Sequence, residues 1–235
     1  MLVLAVDTSA KVSSVSLVKD KQLLAITTLN TGNTHSETLL TSVNGLMGFA
    51  NVSASDIDLF AVSAGPGSFT GIRIGVALVK GLAFGHKKCA GVSTLEALAY
   101  NMQSFSGIIC AAMDARCNQV YTAFFESDGE NITRLCEDRA VSTDVLFEDI
   151  KKYVSETGNK VVLVGDGANL CRRKFGEEFV KIAPSQLVLG HASGTCVAAQ
   201  KLFENGKTVS SGELVPNYLR LAQAEREKLQ KEGKL

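Results

Sequence analysis

The sequence lacks net charge, clustered basic residues and long apolar runs. Its 24 lysines and arginines balance 24 aspartates and glutamates over 235 residues. No lysine and arginine block interrupts the body of the chain, so composition gives no electrostatic footprint for binding RNA or DNA alone. No apolar run approaches the roughly 20 residues that cross a membrane. We therefore expect any contact with nucleic acid to be shared with a partner, and no contact with a membrane.

The sequence also has no Cys-x-x-Cys pair, and we expect no leader segment. The six cysteines are scattered and include no Cys-x-x-Cys pair, which argues against a zinc site or a disulfide framework. The chain opens on an apolar strand pattern that reaches Asp7, too short and too uncharged at its start for a secretory signal. With 46% hydrophobic and 20% charged residues, disorder is excluded. We expect a cytoplasmic protein in a reducing compartment.

The predicted elements occur in the same order twice. Three strands, followed by alternating helices and strands, are predicted over residues 2–101, and a similar series over residues 107–202. Two copies predict an α/β fold with two subdomains, 1–104 and 105–218. Residues 216–220 are predicted to be a short docked segment. Residues 219–235 are predicted to include a charged tail helix, more typical of a solvated or frayed end than of a binding element.

Residues 64–75, Ala-Gly-Pro-Gly-Ser-Phe-Thr-Gly-Ile-Arg-Ile-Gly, predict a strand end, a tight turn and a helix start. Ser68 or Thr70 is expected to cap that helix. Phosphate could bind exposed amides at such a helix start, although the stretch matches neither a P-loop nor Gly-x-Gly-x-x-Gly. Gly71 and Gly75 lie on one helix face, where small residues permit close approach of another backbone. That backbone could belong to the domain's own sheet or to a partner helix.

Five motifs occur in one order along the chain. They are Asp7-Thr8-Ser9, Gly65 to Gly75, Gly91 to Ala97, Asp114-Ala115-Arg116 with Val120-Tyr121, and Pro216-x-Tyr218-Leu219-Arg220. Together they resemble the TsaB (YeaZ) family, the bacterial partner of TsaD in making threonylcarbamoyladenosine at position 37 of tRNA. The glycine motif is highly specific, whereas the last two motifs would be weak alone. The resemblance implies an actin-like, Hsp70-like duplicated fold of two ribonuclease-H-like α/β subdomains.

The resemblance also implies that the catalytic site is lost. TsaD carries His-x-Glu-Gly-His after its glycine helix, and the matching positions here hold Thr94, Glu96 and Leu98. Threonine is a poor metal ligand and leucine is none. The three histidines of the chain lie more than fifty residues apart, so no other pair replaces them. We expect no metal and no catalytic residue, with Glu96 as a solvated or capping carboxylate.

Asp7, Thr8 and Ser9 are weak candidates for nucleotide binding. Actin-like enzymes place a carboxylate near magnesium and phosphate at the end of the first strand. The alternative is an Asx turn that closes the strand. The family resemblance implies no cofactor bound by this chain alone, with ATP or ADP at the interface of a complex. Gly165-Asp166-Gly167 resembles a phosphate turn of the same fold, but such triplets are also common in ordinary turns.

Two helices are predicted to form a partner interface, because similar interfaces in the family use them. The candidates are Leu39, Val43, Leu46 and Met47 on the first helix, and Gly71, Ile72, Gly75, Val76 and Val79 on the glycine helix. The expected partner is TsaD, or a second copy of the chain when it is alone. TsaE would join that pair, and tRNA would be bound only through the complex.

The resemblance favours a non-catalytic scaffold that activates TsaD on ANN-decoding tRNAs. One alternative is a self-sufficient ATPase or metallohydrolase, glycoprotease-like, of the same fold. Another is a homodimeric binding module that acts outside tRNA modification. Nucleophilic hydrolysis by Ser68 with His35 is disfavoured, because the sequence supplies no recognisable orienting acid or oxyanion hole.

Overall fold

The computed structural model describes residues 1–85 and 87–220, and the predicted tail helix lies outside these residues. The first half contains β1 (Leu2–Asp7), β2 (Ser13–Lys19), β3 (Gln22–Leu29), α1 (His35–Phe49), β4 (Leu59–Gly65), α2 (Phe69–Leu82), β5 (Lys88–Ser93) and α3 (Thr94–Tyr100). The second half contains β6 (Ser106–Asp114), β7 (Gln119–Asp128), β8 (Ile132–Arg134), β9 (Arg139–Ser142), α4 (Thr143–Thr157), β10 (Val161–Val164), α5 (Ala168–Phe175), β11 (Val180–Ile182) and α6 (Ala192–Glu204).

The two halves build sheets of the same topology. The first sheet has the order β3-β2-β1-β4-β5, and the second has β11-β10-β6-β7-β8, with β9 also paired to β7. In each sheet the first three strands form an antiparallel meander, and the later strands add in parallel beside the first. Reading the second order backwards gives the first. The predicted duplicated α/β fold is therefore confirmed.

The central strands of both sheets are continuous apolar runs because helices cover both of their faces. Every residue of β1, β4 and β10 is buried. α1 and α2 cover the outer face of the first sheet, and α4 and α5 cover the outer face of the second. α3 and α6 fill the layer between the sheets and form the largest apolar cluster.

The two helices of the central layer cross between the halves. α6, encoded in the second half, packs on β1, β2 and β4 of the first sheet, whereas α3 contacts β6 and β7 of the second. The two helices also touch each other closely, since a Cβ added to Gly194 would lie 2.1 Å from the backbone oxygen of Ala97. The strands of the two sheets lie on either side of residue 104 in the chain, but the helices between the sheets pack across both, and the division into subdomains stays a prediction.

Candidate functional site

The glycine motif packs against the loop that follows β1. A Cβ added to Gly67 would lie 2.3 Å from the backbone oxygen of Ser9, and one added to Gly71 would lie 2.0 Å from that of Thr8. A Cβ on Gly75 would meet the Thr8 hydroxyl at 2.5 Å. Gly71 and Gly75 therefore make room for the chain's own β1 end, and their assignment to a partner interface stays a prediction.

Hydrogen bonds hold the same junction. The amide of Ser68 donates to the backbone oxygen of Ser9 over 2.7 Å, and the Thr8 hydroxyl donates to the backbone oxygen of Gly71 over 2.7 Å. Ser68 is the helix cap, because its Oγ accepts from the Gly71 amide over 3.3 Å. Two amides of the motif are thus occupied within the chain, which weakens the phosphate-loop interpretation.

Asp7, Thr8 and Ser9 form a closed turn at the end of β1. One carboxylate oxygen of Asp7, Oδ1, accepts from the Ser9 amide over 2.9 Å and from the Ser9 hydroxyl over 2.6 Å. This is the Asx-turn alternative. Thr8 is buried, and its hydroxyl donates to the backbone oxygen of Gly71 in α2. Asp7 and Ser9 line the neighbouring cleft, whereas Thr8 does not.

That cleft lies between the β1–β2 loop, α3 and the loops of the second sheet, and has a cavity volume of about 80 Å³. Its polar lining residues are Asp7, Ser9, Lys11, Asn30, Thr94 and Asp166; its apolar ones include Ala10, Val12, Leu98, Met113 and Leu189. Burial raises the pKa of Asp166, and the negative charge of Asp114 adds to this effect. The structure therefore places two carboxylates and one lysine around one cavity.

The Gly165-Asp166-Gly167 turn at the edge of the cleft is shaped by internal packing. A Cβ added to Gly165 would lie 2.3 Å from the backbone oxygen of Ala112, and one on Gly167 would lie 3.0 Å from the same atom. Asp166 Oδ1 accepts from the Asp114 amide over 3.0 Å. These contacts support the ordinary-turn alternative.

The positions that the resemblance matches to the TsaD metal ligands make other contacts in this structure. Thr94 is buried and its hydroxyl has no hydrogen-bond partner, whereas Leu98 packs in the core. Glu96 forms an ion pair with Arg134 over 3.1 Å, so the expectation of a solvated or capping carboxylate is wrong. No group of three or more histidine, cysteine, aspartate or glutamate side chains within residues 1–85 and 87–220 could hold a metal ion.

Arg134 joins α3 to the second sheet. Its guanidinium also pairs with Asp138 over 2.6 Å, and Asp138 accepts a hydrogen bond from the Ser93 hydroxyl over 2.6 Å. Burial lowers the pKa of Arg134, but Asp138 and then Glu96 outweigh burial and leave that pKa raised. Sequence reasoning missed this cluster because Arg134 is far from α3 in the chain.

Most of the predicted interface side chains are buried in the chain's own core. Six of them face the first sheet: Leu39, Val43, Leu46, Ile72, Val76 and Val79. Met47 is half-buried against the same cluster. Apolar helical periodicity identifies the face that a helix packs on its own domain, so the prediction that α1 and α2 meet a partner now depends on their outer faces.

The outer faces of α1 and α2 carry a different apolar set. Phe49 is 90% exposed, Phe84 just beyond α2 is 86% exposed, and Leu40 is 50% exposed. Single exposed apolar side chains are common on soluble domains, and they indicate an interface where they form a contiguous patch. We call these three side chains and the outer faces of α1 and α2 the outer helical surface.

The segment after α6 is docked, as predicted. The Asn217 amide donates to the Ala64 oxygen over 2.7 Å, and the Tyr218 ring stacks on Phe69 with centroids 4.5 Å apart. Arg220 Nη1 donates to the Ala115 oxygen over 2.7 Å. The segment thus connects the start of α2 with the loop after β6.

No helix in the described part of the chain combines the length and the apolar character needed to cross a membrane.

Comparison with known proteins identifies close counterparts of nearly the whole chain. The family model of TsaD, tRNA N6-adenosine threonylcarbamoyltransferase, matches residues 25–228. The tRNA threonylcarbamoyladenosine biosynthesis protein TsaB of Bacillus subtilis is 29% identical over 229 residues, which cover 96% of each chain. TsaB of Escherichia coli is 31% identical over 223 residues, 94% of this chain and 95% of the relative.

A solved structure agrees with the sequence comparisons. YeaZ from Pseudomonas aeruginosa is 26% identical and superposes with a TM-score of 0.78 over 93% of this chain and 99% of that protein. Together with the duplicated sheets and the five ordered motifs, these matches show that the chain belongs to the TsaB (YeaZ) family of tRNA threonylcarbamoyladenosine biosynthesis proteins.

Proposed function

We propose that this chain is a non-catalytic scaffold that binds TsaD and activates threonylcarbamoyl transfer to adenosine 37 of ANN-decoding tRNAs. The observation that carries the proposal is the outer helical surface, where Leu40, Phe49 and Phe84 are exposed. An apolar surface of this kind gains free energy when a partner covers it. Membership of the TsaB family supports a role in tRNA threonylcarbamoyladenosine synthesis, and the outer helical surface is where we propose that TsaD binds.

Glycines on the outer helical surface support helix-on-helix docking. A Cβ added to Gly45, Gly48 or Gly81 would meet no atom within 4 Å. Each glycine costs about 1 kcal/mol against alanine inside a helix, and nothing inside the chain uses the space that it leaves. These positions differ from Gly71 and Gly75, which the β1 end fills. A partner helix that approaches closely would account for them.

The same surface supports two alternative assemblies. TsaD would cover it in the working complex, and a second copy of the chain would cover it when TsaD is absent. Because both partners use one surface, the two assemblies exclude each other. We propose that TsaE joins the pair of this chain with TsaD.

Cofactors and tRNA enter the proposal only through the complex. The glycine motif is filled by Thr8 and Ser9, so this chain alone offers ATP or ADP little of the usual amide cradle. We therefore place any nucleotide at the contact with the other subunits. The chain has no net formal charge, which supports tRNA binding by the assembled complex rather than by this subunit.

Reconstitution tests the proposed function. Purified TsaD, TsaE, threonylcarbamoyl-AMP and tRNA are combined with and without this chain, and modified adenosine is measured. We expect modification to fall strongly without the chain. Full modification without it would refute the scaffold role, and a bound metal with turnover by the pure chain would favour the alternative of a self-sufficient enzyme.

Substitutions on the outer helical surface locate the interface. Leu40→Asp and Phe84→Asp should each abolish co-purification with TsaD while leaving the melting temperature of the chain unchanged, because both side chains are exposed. Val145→Asp on α4 is the matched control, since Val145 is 47% exposed on the opposite outer layer. Loss of binding in the control alone would place the interface on the second half.

A further inference from the structure

We propose that the cleft between the halves binds a small zwitterion with an ammonium group and a carboxylate, such as a free α-amino acid. The polar residues that would hold it are Asp7, Thr94 and Lys11, which line one cavity. The site is separate from the outer helical surface, and it is argued from unpaired groups, charge and shape.

The first step is the unpaired hydroxyl of Thr94. Three buried side-chain polar atoms in residues 1–85 and 87–220 have no hydrogen-bond partner, and Thr94 Oγ1 is the one among them whose residue lines the cleft. Thr94 is 1% exposed. A buried hydroxyl without a partner is unfavourable, so its presence requires an explanation. A ligand group that donates to or accepts from this hydroxyl supplies one.

The second step is the free oxygen of Asp7. Its Oδ1 is bonded twice by Ser9, whereas Oδ2 has no hydrogen bond within the described residues. Gly190 faces this oxygen, and a Cβ there would lie 3.1 Å from Oδ2. The absence of a side chain at residue 190 leaves the carboxylate open on that side. An ammonium group, with three donors, can bind a carboxylate and a hydroxyl together.

The third step is the positive charge of Lys11, which lines the same cavity as Asp7. Lys11 is exposed at the cleft and forms no ion pair within 4 Å in the part of the chain that the structure describes, although its charge acts on Asp166 and opposes the rise in the pKa of that carboxyl group. A ligand carboxylate would pair with its ammonium group. The cleft thus offers separate partners for both charges of a zwitterion.

The remaining lining sets the size and polarity of the ligand. Leu98, Met113 and Leu189 provide apolar walls, which fit a short aliphatic side chain. The cavity volume is only about 80 Å³, which favours a ligand of few heavy atoms over a nucleotide. A polyphosphate carries several negative charges and no compensating ammonium group, so it fits less well than a zwitterion in a cavity lined by the carboxylates of Asp7 and Asp166.

Calorimetric titration of the full chain with the twenty L-amino acids tests this proposal. At least one amino acid should bind, and its N-acetyl and methyl ester derivatives, which each lack one charge, should bind at least fivefold more weakly. Asp7→Asn keeps the turn to Ser9 and removes the charge, and Lys11→Gln removes the opposite charge; each should also weaken binding at least fivefold. Lys181→Gln, on β11, is the control and should change nothing.

Thr94→Val separates a binding role from a structural one. The valine is isosteric and removes only the unpaired hydroxyl, so the melting temperature should stay equal or rise while ligand affinity falls at least fivefold. Binding that survives both Thr94→Val and Asp7→Asn would place the ligand elsewhere and overturn the proposal. Absence of amino-acid binding, with or without binding of magnesium-ADP, would overturn it as well. Because TsaD is not used, these outcomes are independent of the scaffold role.

Discussion

Arg73 Nε donates a hydrogen bond to the phenolic oxygen of Tyr218 over 2.8 Å, across 145 positions of sequence. Tyr218 also stacks on Phe69, with ring planes inclined by 12°, and the Arg73 guanidinium lies 5.6 Å from the Tyr218 ring centroid. Since Phe69 and Arg73 occupy the first two turns of α2, the residues after α6 hold the start of that helix.

Tyr218→Ala should therefore destabilise the chain. The change removes a stacked aromatic pair and one hydrogen bond, and we expect a loss of about 1–2 kcal/mol in the free energy of unfolding. Tyr218→Phe keeps the stack and should lose about half as much. Urea denaturation measures both values. Equal losses in the two variants would show that the hydrogen bond, and not the stack, holds the segment.

Gly45→Ala should stabilise the isolated chain and weaken its binding to TsaD. The added methyl group meets no atom of the chain, so helix propensity should raise the free energy of unfolding by up to about 1 kcal/mol. The same methyl group would intrude on a closely packed partner helix. Gly71→Ala is the matched control and should destabilise the chain, since its Cβ would meet the Thr8 oxygen. Unchanged TsaD affinity in Gly45→Ala would exclude close packing at this position.

Asp166→Asn should stabilise the chain at neutral pH but not in acid. Burial raises the folded-state pKa of Asp166 above its ordinary value of 3.8, so the folded chain keeps this proton at pH values where the unfolded chain has lost it. The contribution of this proton to the free energy of unfolding is present below pH 3.8 and is lost as the pH rises through the folded-state pKa of Asp166. Asparagine does not titrate, so the variant does not lose this stability at neutral pH. Its side-chain oxygen can still accept the hydrogen bond from the Asp114 amide. Melting temperatures at pH 7 and pH 3.5 measure the difference, and a pH-independent difference would contradict this assignment.

Alkylation by iodoacetamide should distinguish the cysteines of the native chain. Burial raises the pKa of Cys171 and of Cys196 to about 12, and the thiolate is the reactive form. Cys117 is exposed in the loop after β6. Mass spectrometry should find Cys117 modified first, and the two buried thiols only after denaturant is added. Early modification of Cys196 would show that the layer between the sheets opens readily.

The fold could be predicted in detail where local patterns decide it. The apolar runs of β1 and β4, the amphipathic pattern of α1 and the cap at Ser68 all depend on nearby residues, and the structure confirms them. Residues 132–142 form two short strands, β8 and β9, with a break between them. Arg134, the last residue of β8, forms ion pairs with Asp138 in the break and with Glu96 on α3.

The site was harder to predict because its features depend on distant residues. The sequence identifies Gly71 and Gly75 as positions that need space, but only the fold shows that Thr8 fills it. Periodicity identifies the apolar stripe that includes Val76, but burial is required to show that this stripe faces inward. The unpaired hydroxyl of Thr94 has no sequence signature, because the fold decides whether a threonine hydroxyl has a hydrogen-bond partner.

The position of α6 also determines when the first sheet can finish folding during translation. The first sheet is complete in sequence at Ser93, yet the helix that covers its inner face ends at Glu204. During translation the inner faces of β1 and β4 must therefore wait for a further 111 residues, 94–204, to leave the ribosome. The nascent N-terminal half is thus expected to expose an apolar sheet for that interval and to be a natural client for a chaperone.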